Sequence, residues 1–270
     1  MNHLARLILL GSTLTATANA QGTQRQPVFE LDPIADSVFL GGTLLVAATS
    51  EAIIGTGEIE AQLPDDEAEL LKIDRWAAEK DSAALKGAQA SDTGVLVIAS
   101  WAIVDTTLAG FKQRPDSALT YGTLYLESAI TTWCISNLFK MAVRRPRPRA
   151  YIELREKGSV SDETQEALSF YSLHTAMAAS VASTATYLAW TRPGPAWEKW
   201  LVLGGAVTAT SVVGVGRMLS AAHFTTDVIA GLGAGVAIGT LVPHVHRIAP
   251  VTISSTVDSH GGTVGVQGEF

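Results

Sequence analysis

Six apolar runs, each near the length a helix needs to cross a bilayer, set the limits on what this chain can fold into. They cover residues 37–55, 94–111, 119–143, 173–191, 200–219 and 222–242. All are rich in Ala, Gly, Ser and Thr, which lets helix backbones approach closely. Glu51, Asp105 and Glu127 fall within or near the ends of these runs, so each has to face the bundle or water. The expectation is an all-α fold, a six-helix bundle over residues 37–247. A 270-residue chain with 47% hydrophobic residues can bury a substantial core, and one domain is the simplest reading.

Residues 1–20 read as an export signal: His3 and Arg6 at the start, an apolar middle, and Ala18-Asn19-Ala20 as a small-x-small cleavage pattern. Residues 21–36, polar with two prolines, read as a leader segment. The connection 58–87 holds nine acidic residues against Lys72, Arg75, Lys80 and Lys86. Within it Leu70, Leu71, Ile73, Trp76 and Ala77 outline a short amphipathic helix whose charges read as a solvated face. The tail, residues 248–270, has the pattern of a short β-hairpin. Net charge is −7, which argues against nucleic acid as a partner. The single cysteine, Cys134, excludes an intramolecular disulfide.

Three stretches carry chemistry. In the first, Lys140 is followed after six residues by Arg147-Pro148. The second, Ser169-Phe-Tyr-Ser-Leu-His174, opens an apolar helix. Ser172 stands where an N-cap would, and the amides of Leu173 and His174 would point at an anion bound there. The third runs from Arg217 through His223 to Asp227. If the chain is helical from Phe224, His223 and Asp227 share a face. The carboxylate could then accept one imidazole proton and leave the other nitrogen as a nucleophile. Arg217 suits a tetrahedral oxyanion. Taken singly, a histidine at a helix start reads equally well as a cap or core residue, and Lys140 as a snorkelling side chain. Arg144, Arg145 and Arg149 read as a basic cluster at a membrane surface. His244 and His246 read as favouring the negative end of a helix rather than as metal ligands. Counting alternating helices brings all three stretches to one end of the bundle.

In that order and spacing, the three stretches resemble the signatures of the type 2 phosphatidic acid phosphatase and vanadium haloperoxidase superfamily. The departures are Tyr171 for proline, Leu173 for glycine and Gly216 for serine. The resemblance implies that Lys140, Arg147, Arg217 and the Ser172–Leu173 region hold a phosphoryl group. His223 would form a phosphohistidine, Asp227 would orient it, and His174 would serve as acid and then base. No metal or cofactor is implied, because the cations stabilise the charge at phosphorus. The expected substrate is a lipid phosphate or diphosphate, met by an exported, membrane-associated enzyme whose site faces the periplasm. A cleaved leader followed by six spans would instead turn the site to the cytoplasm. A soluble periplasmic acid phosphatase, a haloperoxidase that ligates vanadium through His223, and a non-catalytic membrane bundle are the alternatives.

Overall fold

The computed structural model describes residues 28–60, 62–64, 66–82, 86–113, 115–160, 168–248, 251–258 and 261–268. The expected export signal therefore lies outside the described residues. Among them are eight α-helices rather than six: α1 Pro33–Gly55, α2 Lys72–Ala78, α3 Ala88–Lys112, α4 Pro115–Val143, α5 Pro148–Lys157, α6 Leu173–Thr191, α7 Ala196–Leu219 and α8 Thr225–Val245. Six are long and correspond to the apolar runs. The two extra helices are short, and length alone hides such helices from a reading based on bilayer-sized runs.

Start signals account for the boundaries that differ. Helix α1 begins before residue 37 because Asp32 caps it, accepting the amide hydrogens of Ile34 and Ala35 at 3.0 Å, with Pro33 in the first turn. The preceding residues belong to the bundle too. Glu30 N–H donates to the His246 carbonyl, Ile248 N–H donates to that of Val28, and buried Phe29 packs edge-on against Tyr121. Helix α8 starts at Thr225, not 222, because Ala221 takes a positive φ of 50° and Phe224 is extended. Beyond α8, strands β1 Val251–Asp258 and β2 Gly261–Gly268 pair antiparallel.

Helix α6 is the hub, buried along most of its length and packed against α3, α4, α7 and α8. Its closest neighbour is α8, and the sequence shows why. Gly231, Gly235 and Gly239 recur every four residues, and a Cβ on any of them would run into the carbonyl oxygens of Ser172, Ala176 and Ser180. This small-residue stripe lets two backbones nearly touch.

Polar contacts are set within an apolar core, and the exterior of the long helices is largely apolar. Thr184 Oγ1 donates to Ser128 Oγ at 2.9 Å, Tyr125 donates to Asp105 at 2.9 Å, and Asn137 donates to Glu51 at 2.9 Å. Outward stand Leu44, Leu96, Trp101, Ile103, Val207 and Leu241. Four helices, α1, α3, α7 and α8, are long and apolar enough to cross a membrane. Asp105 and Glu127 are buried in the bundle, and Glu51, itself exposed, accepts hydrogen bonds from Trp133 and Asn137 of α4.

Candidate active site

The three stretches meet at one end of the bundle, and main-chain hydrogen bonds tie them pairwise. Ser169 N–H donates to the Arg145 carbonyl at 2.9 Å, Arg149 N–H to that of Ala221 at 3.1 Å, and Ser172 N–H to that of Asp227 at 3.2 Å. Lys140 lies in the last turn of α4, Arg147 caps α5, and Arg217 lies in the last turn of α7. Ser172 caps α6 and is fully buried, its hydroxyl 3.0 Å from that of Thr175. Leu173 is the first helical residue of α6, where an L side chain meets no backbone penalty, so glycine's freedom is not called on.

His223 sits in the loop before α8 and is 2% exposed. Its Nδ1 lies 2.7 Å from the Ser169 carbonyl, which can only accept, so Nδ1 carries the proton and Nε2 the lone pair. This corrects the expected partner. Since α8 begins two residues later, His223 and Asp227 share no helical face, and Asp227 Oδ2 stands 3.9 Å from Nδ1. The buried Asp227 carboxylate instead accepts from Ser169 Oγ, from Phe224 N–H at 2.9 Å and from Arg145 Nη1 at 2.6 Å. Asp227 holds the segment whose carbonyl orients the imidazole.

Burial, then the positive charges of Arg147, Arg217 and Lys140, push the His223 pKa well below the ordinary imidazole value, against the pull of the Ser169 bond. The ring is neutral. His174, in the first turn of α6, is partly exposed, and its pKa is lowered to about 4 by burial and by Arg217, with Lys140 and Arg147 adding to the effect and Asp92 opposing it. The same three cations thus act on both histidines. Arg217 Nε is buried and donates to nothing among the described residues, while Nη1 stands 3.8 Å from Asp92.

Four further residues belong to this end. Asp92, near the start of α3, lies 3.5 Å from His174 Nε2. Ser169 supplies both the carbonyl and the hydroxyl described above. Arg145 is not a free membrane-surface cation: it bridges Asp227 to Asp74 at 2.9 Å and lies 4.0 Å over the Phe224 ring. Asp74, on α2, is fully buried and also accepts from Thr226 N–H at 2.9 Å and Thr226 Oγ1 at 2.6 Å. Helix α2 is therefore docked on the start of α8 rather than presenting all its charges to solvent. A signal for Asp74 existed in the sequence, since it lies four residues after Leu70 and three before Ala77, on the apolar face of its helix. Gly216 is explained as well: a Cβ there would stand 2.6 Å from the Gly87 carbonyl, so serine does not fit.

No match was found among curated proteins or among solved structures. The family model of the PAP2 superfamily, whose members are generally phosphatase-type hydrolases, matches residues 121–249, a span that holds every residue of the three stretches. Over that span, from within α4 to just past the end of α8, the chain is similar to the PAP2 superfamily.

Proposed function

We propose that this protein hydrolyses a lipid phosphate or diphosphate through a phosphohistidine formed on His223, without a catalytic metal. The observation that carries this reading is that main-chain hydrogen bonds tie together the three loops and helix ends that carry Lys140, Arg147, Arg217, His174 and His223. Three cations match the charge of a phosphoryl group and stabilise it as it passes through the transition state. His223 Nε2 attacks phosphorus and the bond to the leaving oxygen breaks. His174 gives that oxygen a proton, a role worth roughly 10²–10⁴ in rate. A substrate dianion offsets the cations that depress His174, so the ring gains its proton when the phosphoryl group binds. In the second half His174 takes a proton from water, the resulting hydroxide attacks phosphorus, and the N–P bond breaks.

Lipid as the substrate class is supported by the apolar outer faces of α1, α3, α7 and α8. The site is assigned to the periplasmic face. Because α1 starts at the other end of the bundle, beside His246, the chain then enters α1 from the cytoplasmic side.

The test is to trap an acid-labile phosphoenzyme on full-length protein with a phosphorylated lipid. The wild type accumulates it, while His223→Ala forms none and loses about 10³-fold or more in turnover. Phosphate release by His223→Ala at the wild-type rate overturns the proposal.

A further inference from the structure

The far end of α8 carries a second histidine with no role in this chemistry. His246 closes the helix, and its Nδ1 lies 2.8 Å from the Val242 carbonyl. A carbonyl only accepts, so that nitrogen is the protonated one when the ring is neutral and Nε2 holds the lone pair. Nε2 faces two carboxylates from distant parts of the chain, Asp36 Oδ1 of α1 at 3.2 Å and Glu127 Oε2 of α4 at 3.3 Å.

We propose that Asp36, Glu127 and His246 form a structural site for a divalent cation of the zinc class. Several independent observations converge on it. Glu127 is 1% exposed, yet neither of its carboxylate oxygens accepts a hydrogen bond among the described residues, and Asp36 Oδ2 is likewise buried and unbonded. A carboxylate left so is costly unless a positive charge meets it. The separations of 3.2 and 3.3 Å match the spacing of about 3.3 Å between two ligand atoms held tetrahedrally at about 2.0 Å from zinc. The Nδ1 bond to a main-chain carbonyl is the outer contact that fixes a ligating imidazole. Two carboxylates and a neutral imidazole carry two negative charges, which a divalent ion balances and a single proton on His246 does not. A cleft of about 660 Å³, lined by Glu30, Asp32, Asp36 and His246 among others, gives an acidic approach and room for a water as fourth ligand. The cation would fasten α1, which packs chiefly against α4, to both α4 and α8.

The test uses full-length protein in detergent, stripped with chelator, reloaded with zinc chloride and passed through gel filtration. Metal content and thermal unfolding are then read. The wild type should retain one zinc per chain and unfold at a higher temperature with zinc than without. Glu127→Gln and His246→Gln should each lower zinc affinity by at least the roughly 100-fold that outer contacts alone command. Asp36→Asn, in the first turn of α1, keeps the test open if a deeper variant does not fold. A wild type that retains no zinc overturns the proposal, as does equal retention by every folded variant. A stability loss in His246→Gln without zinc retention by the wild type assigns the cluster to a plain ion pair and also overturns it.

Discussion

His223 and His246 flank the same helix, α8, and each presents Nδ1 to a main-chain carbonyl. Only their surroundings differ. The free nitrogen of His223 lies in the field of Lys140, Arg147 and Arg217, whereas that of His246 looks at Asp36 and Glu127. An unshared electron pair among cations is placed to meet phosphorus in an anion, and one among carboxylates is placed to meet a metal ion. On the two readings proposed above, the same side chain in the same tautomer is turned to opposite uses by the charges around it.

The comparison holds only if the two ends are independent, and the largest expected effect tests that. Asp74→Ala leaves Arg145 facing Asp227 alone and removes the tie between α2 and α8. Breaking a buried pair in this way costs about 3 kcal/mol, the lower end of the usual range, because Arg145 keeps a fifth of its surface exposed. Unfolding midpoints should show that loss and turnover should fall with it, while metal retention at the opposite end is unchanged. Loss of both together would mean one cooperative unit.

A middle-sized effect sharpens the assignment of the cationic end. Burial and the Arg217 charge lower the His174 pKa to about 4, and an oxyanion among the cations raises it. Between those two values binding takes up a proton, so affinity falls as pH rises, by up to about tenfold per pH unit. Sulfate is a clean probe because it keeps its charge across this range. Calorimetric titration between about pH 5 and pH 7 should show the slope in the wild type and none in His174→Asn. A flat wild-type profile would remove His174 from the anion's neighbourhood. The smallest effect concerns Leu173→Gly. Since Leu173 already lies in a regular helical turn, stability should change by less than about 1 kcal/mol and kcat/KM by less than about threefold. A tenfold gain in kcat/KM would show that leucine obstructs the site.

Much of the candidate site was legible in the sequence because its residues come in three short stretches with fixed spacing. Helix α6 was legible to the residue, bounded by the Ser172 cap and the Pro193-Gly194-Pro195 break. Partners brought in by folding were not legible. Arg145 was indistinguishable from Arg144 and Arg149 until Asp74 arrived from 71 positions away. His246 meets Asp36 across 210 positions. The assignment of Asp227 as direct partner of His223 fails for a local reason: the positive φ of Ala221 and the extended Phe224 delay the helix past the histidine.

The hydrogen bonds that join the three loops run from Ser169, Arg149 and Ser172 to Arg145, Ala221 and Asp227 through peptide groups alone. Such bonds are blind to most changes of amino acid but sensitive to the number of residues between them. These main-chain ties therefore tolerate replacement better than a change of length: gaining or losing even one residue in a loop would disturb all three, whereas the side chains of Ser169, Ser172, Arg145 and Asp227 answer to contacts of their own.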